Sequence, residues 1–226
     1  MVEPPVFLSK ADIARRHIEG LILSGAAKPG DRITTREVSE ALGISETPIR
    51  EAIRSLAAEG WLEVKPHVGA VVESAGSEQL REIYALRGRI GGLAVELGGA
   101  SYGPARLKKI DANIAASADA VARQDVPRYT RLNHEFHIML SDTPHSQWCL
   151  RMLVNLSALT SVHYGFAVLP QRMAQSLREH QAIRDAIRAG RFIEAAALIH
   201  DHERAGYEAL AAKLAAEERT RKDSAA

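Results

Sequence analysis

Asn133 and His137 stand four residues apart in a stretch of helical periodicity, so both side chains leave one helix face about 6 Å apart along the axis. His180 and His202 lie in two later segments of the same kind. If those helices surround one cavity, three imidazoles and an amide oxygen converge there and leave positions open for water or a ligand. Three imidazoles suit zinc, nickel, copper or iron, and spacing does not choose among them. Nine His in 226 residues also yield such spacings by coincidence, so a surface or core role stays open on this ground alone. His134, His200 and Asp201 neighbour the candidates but point to other helix faces, which reads as solvated surface. A three-His zinc site can activate water, so a metalloenzyme is one alternative. Against it, His134-Glu135-Phe136-His137 is one residue short of the metalloprotease spacing, and Glu135 faces away from His137.

Helices must position these groups, and from Glu78 onward strand signals are almost absent. Periodicity predicts six helices, at 78–100, 104–123, 126–141, 146–168, 171–189 and 192–218. Breaks fall at Gly103-Pro104, Asp125 to Pro127, Thr143-Pro144, Leu169-Pro170 and Gly190-Arg191. Many Ala residues favour helix and close packing. Thr220 to Ala226 read as a frayed end.

The N-terminal part is built differently. An amphipathic helix from about Lys10 to Ser24, with Ile13, Ile18, Leu21 and Ile22 in phase, ends before the turn Pro29-Gly30. Thr34 or Thr35 can cap a second helix, Glu37 puts negative charge in its first turn, and Gly43 ends it. Ile44 plugs the core. Ser45 is a good N-cap for a third helix, whose first turn tolerates Pro48 and whose buried stripe is Ile49, Ala52, Ile53, Leu56 and Ala57. Glu46, Thr47, Arg50 and Arg54 remain outward. Two short strands, Trp61 to Lys65 and Ala70 to Glu73, flank Pro66-His67-Val68-Gly69 as a wing with His67 at its tip.

That order is a winged helix-turn-helix, in which the start of the second motif helix enters the major groove. Arg50 then reads guanine or grips the backbone, while Ser45 and Thr47 hydrogen-bond phosphate. The fold class expected is therefore mainly α, with a winged helix-turn-helix at 1–75 and an all-α six-helix bundle at 76–226. Ser74 to Ser77, small and flexible, marks the boundary.

Composition sets the remaining bounds. The chain has 29 Lys and Arg against 28 Asp and Glu, and residues 1–75 carry 9 against 11, a formal −2. DNA affinity must then come from a few well-placed Arg side chains and helix N-termini, doubled by dimerisation. No apolar run approaches the roughly 18 residues needed to span a bilayer, and no signal-peptide pattern opens the chain. Cys149 is the single cysteine and reads as a small buried hydrophobe in a reducing cytoplasm.

With Leu42-Gly43-Ile44-Ser45-Glu46-Thr47-Pro48-Ile49-Arg50-Glu51-Ala52 in place, the chain resembles the GntR family of bacterial transcriptional regulators. The resemblance implies Arg36, Ser45, Thr47 and Arg50 as operator contacts, with His67 at a wing tip that enters the minor groove. Two positions depart from the family pattern. Glu46 replaces the usual Arg, and either accepts from cytosine N4 or points away from DNA, and Val68 replaces a basic wing residue. The helical part resembles the FadR-type subfamily, with its FCD domain, in the VanR-like branch. That likeness implies Asn133, His137, His180 and His202 as ligands of a divalent transition metal ion, zinc or nickel, although an amide is a poorer ligand than the Asp often found there. Leu80 to Ile90 resembles the subfamily's opening motif, which implies Arg87 as an effector-binding fork; an exposed Arg is the plain alternative. The usual acid four positions on is Gly91. The function implied is a ligand-responsive regulator, not an enzyme. It would be a homodimeric repressor on a pseudo-palindromic duplex operator, released by a small organic acid. A metal sensor without organic effector is the alternative.

Overall fold

The structure is a computed structural model that describes residues 8–23, 26–28, 30–65, 69–73, 77–164, 166 and 169–223. The chain divides into two compact units, residues 1–74 with 161–163, and 75–160 with 164–226.

In the first unit, α1 (Lys10–Leu23) packs on α3 (Glu46–Ala58), with α2 (Thr35–Leu42) between them in sequence. The core side of α1 is Ala14, Ile18 and Ile22, all fully buried, whereas Ile13 is 39% exposed, one residue out of phase with that stripe. Thr34 closes α2 with a reciprocal capping box: its hydroxyl accepts from Glu37 N, and Glu37 returns to Thr34 N at 3.1 Å. Gly43 ends α2 at φ 66°, a left-handed conformation in which a side chain would be strained. Ser45 occupies the cap position of α3 with extended backbone but makes no side-chain cap bond.

Strands β2 (Leu62–Lys65) and β3 (Gly69–Val72) pair antiparallel in the register Leu62 to Val72, which buries those two side chains together. The structure adds a strand missing from the sequence expectation, β1 (Arg32–Ile33), which completes a sheet of order β1-β3-β2. Two residues are too few to show alternation, so only the partner strand makes β1 a strand. Pro29, the wing tip Pro66 to Val68, and Ser74 to Gly76 of the expected linker lie outside the described residues.

The second unit contains α4 (Ser77–Gly98), α5 (Pro104–Ala122), α6 (Val126–Ser141), α7 (Gln147–Tyr164), α8 (Met173–Arg188) and α9 (Phe192–Asp223), close to the six expected helices. Pro104 opens α5, and Asp125 caps α6 by accepting from Arg128 N. Of the expected frayed end, Thr220 to Asp223 is helical, consistent with the strong helix formers of Ala211 to Arg221, and Ser224 to Ala226 lie outside the described residues. A core of Val95, Ile110, Ile114, Phe136, Leu140, Ile183 and Ile199 ties α4, α5, α6, α8 and α9 together.

The most extensive helix packing among the described residues is α4 on α9, made possible by small residues. A Cβ placed on Gly91 would stand 3.0 Å from Ile199 Cγ2, and one on Gly92 would stand 3.1 Å from the Ala196 carbonyl oxygen. Gly92→Leu is therefore expected to cost about 1–3 kcal/mol through overpacking. Urea denaturation measures this, and an unchanged midpoint would contradict the close approach.

Candidate metal centre and nucleic-acid interface

In the helical unit, α6, α8 and α9 bring His137, His180 and His202 together, with ligand atoms all within 4.8 Å of one another. The ring centroids are 5.2 Å (137 to 180), 5.1 Å (137 to 202) and 4.8 Å (180 to 202) apart. Asn133 lies one turn before His137 on α6, and its Oδ1 is buried without a hydrogen-bond partner. His137 Nε2 and His180 Nε2 are buried without partners as well. Such atoms lose hydration without recompense, unless a cation or ordered water takes their lone pairs.

Each histidine is braced by a residue adjacent in sequence to a different histidine. Phe136 stacks on the His180 ring at 3.9 Å between centroids and 12° between planes. Glu179 Oε2 lies 2.7 Å from His202 Nδ1. Glu203 Oε1 lies 4.0 Å from His137 Nδ1. An ionised carboxylate only accepts, so His202 donates from Nδ1 to Glu179, which leaves Nε2 as its nitrogen for a metal. Arg172, itself buried, grips both oxygens of Glu179 and donates to the His202 carbonyl. Burial tends to raise the Glu179 pKa, but the hydrogen bonds from His202 and Arg172 outweigh it and hold that carboxyl well below its usual range. Burial, with repulsion from His202, drives His137 and His180 well below the ordinary imidazole value, so both are neutral. Neutral His137 and His180, with His202 oriented through its second nitrogen, fit the requirements of a divalent transition ion.

Arg87 is buried and donates to Glu203 Oε1 at 2.9 Å, rather than standing exposed. The cleft beside it, lined by His137, Ser141, Leu153, Ser157 and Glu203, has free space of about 10 Å³, room for one water. A carboxylate that takes the Nη2 bond of Arg87 would displace Glu203. The expectation of solvated surface holds for Asp201, which is exposed and pairs with Arg204. It fails for His134 and His200, which are half-buried: burial, then the charge of Arg87, lowers the His134 pKa, and His200 packs on Gly88. Glu135 is exposed near Arg131 and takes no part. Cys149 is buried, in keeping with a core role.

Sequence reasoning passed over Glu179, Glu203 and Arg172. The available signal was the pairs Glu179-His180 and His202-Glu203, but which carboxylate backs which ring depends on helix packing.

In the first unit, Ser45, Thr47 and Arg50 are exposed at the start of α3, and Arg36 is exposed on α2. His67 lies outside the described residues. Both arginines are already held by carboxylates one turn away, Arg36 Nε by Glu40 at 2.8 Å and Arg50 Nη2 by Glu46 at 2.7 Å. Thr35 Oγ1 also donates to Glu46 Oε2, at 3.2 Å. Hydrogen bonds from Arg50 and Thr35, with the charges of Arg50 and Arg36, hold the Glu46 carboxyl below its usual range. Behind this face, Arg15 forks onto both oxygens of Glu59, which joins α1 to the end of α3.

Two outcomes test the histidine centre. Adding zinc or nickel to chelator-treated protein is expected to raise Tm, with the shift lost in His180→Ala and reduced in Glu179→Gln; equal shifts in all three proteins would remove these residues from the site. In metal-free protein, the folded-state pKa values of His137 and His180 lie below the unfolded value of about 6.5. The unfolded chain therefore binds more protons as pH falls through that value, and stability declines on acidification. Urea midpoints between about pH 7.5 and 5.5 check the sign, and His137→Gln with His180→Gln should flatten the slope.

The chain matches two domain families along its length: the bacterial regulatory proteins of the gntR family over residues 10–72, and the FCD domain over residues 82–205. It is 27% identical over 175 residues to the uncharacterised HTH-type transcriptional regulator YdhC of Bacillus subtilis (strain 168), covering 76% of this chain and 77% of that protein. A probable D-xylose utilization operon transcriptional repressor from Paenarthrobacter nicotinovorans is 26% identical over 171 residues, 75% of this chain and 74% of the relative. Among solved structures, E. coli McbR/YncC superposes with a TM-score of 0.84 at 21% identity, covering 92% of this chain and all of that one, which shows a shared fold. The chain belongs to the GntR family of DNA-binding transcriptional regulators, with a winged helix-turn-helix head and an all-helical FCD domain.

Proposed function

We propose that this protein is a homodimeric repressor whose FCD domain binds a divalent transition ion, zinc or nickel, and beside it a small organic acid that releases the operator. The observation that carries this reading is the cluster of three histidines, two buried and His137 mostly so, two with unbonded Nε2 atoms and the third oriented by Glu179, inside the effector-type domain of a transcriptional regulator. Asn133, His137, His180 and His202 form the ligand set. Asn133 is uncharged and burial keeps His137 and His180 neutral, so these ligands leave the ion's charge for an anionic ligand. Arg87 grips the acid as it lets go of Glu203.

The operator contacts assigned are Arg36, Ser45, Thr47 and Arg50, with His67 on the wing, and the division of labour is a reading head at 1–75 and an effector domain at 76–226. Two heads on a pseudo-palindrome require a dimer. α4 presents Leu86, Leu93 and Leu97 to solvent on one face, and α7 presents Trp148 and Met152, apolar groups of the kind a second copy covers. Repression follows the relative named as a repressor. Among the described residues no helix is long and apolar enough to cross a membrane, which accords with work on cytoplasmic DNA.

The test is a titration of metal-loaded protein on a duplex selected from a random pool. Small carboxylates together with the metal are expected to weaken binding by about 5–150-fold, the usual size of such coupling. Arg87→Ala should keep metal and DNA but lose the response to acid. Release by metal alone, with no further effect of any carboxylate, would refute the organic-acid role.

A further inference from the structure

Three side chains of the reading face converge on one carboxylate. Glu46 Oε2 accepts from Arg50 Nη2 at 2.7 Å and from Thr35 Oγ1 at 3.2 Å, and Arg36 adds its charge from α2. Glu46 stands in the first turn of α3, the part of a recognition helix that faces the major groove. A carboxylate there opposes phosphate binding, in a head that already carries more acid than base. It offers acceptors only. Of the groups lining the major groove, cytosine N4 and adenine N6 are donors, whereas guanine and thymine turn acceptor atoms outward. Arg50 has the complementary chemistry, a fork of donors that fits guanine O6 and N7.

We propose that Glu46 is a specificity-determining residue, which steers Arg50 onto guanine O6 and N7 and itself accepts from cytosine N4 on the same or the adjoining base pair. Guanine or thymine in place of that cytosine would set acceptor against acceptor and be rejected. Adenine, whose N6 donor lies beside the N7 acceptor, would rank second. The Arg50–Glu46 pair is exposed, so exchanging part of it for a base strands no buried charge. Thr35 keeps the carboxylate anchored to α2 while Arg50 turns. This assignment rests on α3 lying in the major groove, as proposed for the operator complex.

The experiment is sequence selection from a random duplex pool with full-length wild type, Glu46→Ala, Glu46→Gln and Arg50→Ala, each checked for native circular dichroism and Tm. Wild type is expected to enrich a cytosine at one position of each half-site, beside a guanine that disappears in Arg50→Ala. Glu46→Ala should lower the cytosine preference at that position by roughly ten-fold, leave the other positions unchanged and bind random duplex more tightly. Glu46→Gln, whose amide adds a donor, should admit guanine and thymine there. Folded Glu46 variants that select the wild-type sequence with the same cytosine preference overturn the proposal. A wild-type protein that enriches no sequence overturns the placement of α3 itself, and this assignment with it.

Discussion

The FCD domain is organised around a closed ring of braces between three helices. α6 supplies His137 and, one residue earlier, Phe136 that stacks on His180 of α8. α8 supplies His180 and, one residue earlier, Glu179 that holds His202 of α9. α9 supplies His202 and, one residue later, Glu203 that faces His137 of α6. No histidine is oriented by its own helix alone. A shift of any one helix therefore misplaces a histidine on that helix and a brace on the next, so the cluster is sensitive to packing over all three. The arrangement leaves buried nitrogens unbonded, each at a cost of about 1–3 kcal/mol in metal-free protein. Strong packing around Phe136, Ile183 and Ile199 sustains that cost.

Glu203 extends the ring to a fourth helix. Its carboxylate is shared between the neighbourhood of His137 and the guanidinium of Arg87 on α4, and both charged groups are buried. Removing one partner of such a pair leaves the other uncompensated, so an anion that replaces Glu203 at Arg87 must also resettle that carboxylate. The missing side chain at Gly91 is part of the same design. It lets Ile199 and the rest of α9 lie against α4, close enough for an acid from α9 to meet Arg87. The acid four residues after Arg87 is absent, and another helix contributes one.

The reading head solves a different electrostatic problem with the same residue types. Arg36 and Arg50 are not free positive charges but halves of exposed pairs with Glu40 and Glu46. Exposed pairs of this kind contribute little to stability and exchange partners readily. Strength in the head comes instead from the fully buried Ile18, Ile22, Ile49 and Leu56, the capping box at Thr34 and the fork from Arg15 to Glu59. The surface is left to discriminate.

The sequence alone determined the helices of both units, the winged helix-turn-helix and the candidate ligands, because those depend on local rules. Such rules include the 3.6-residue period, the caps at Thr34 and Asp125, the positive φ available to Gly43, and the four-residue spacing of Asn133 and His137. What only the tertiary structure decided involves partners distant in the chain. Strand β1 exists because β3 offers it hydrogen bonds, and His134 and His200 are half-buried because neighbouring helices cover them. Arg87 meets Glu203 across 116 residues, and Glu179 meets His202 across 23. A helical period states which face a side chain leaves from, but not what stands opposite; that is set by the small residues that let α4 and α9 close on each other.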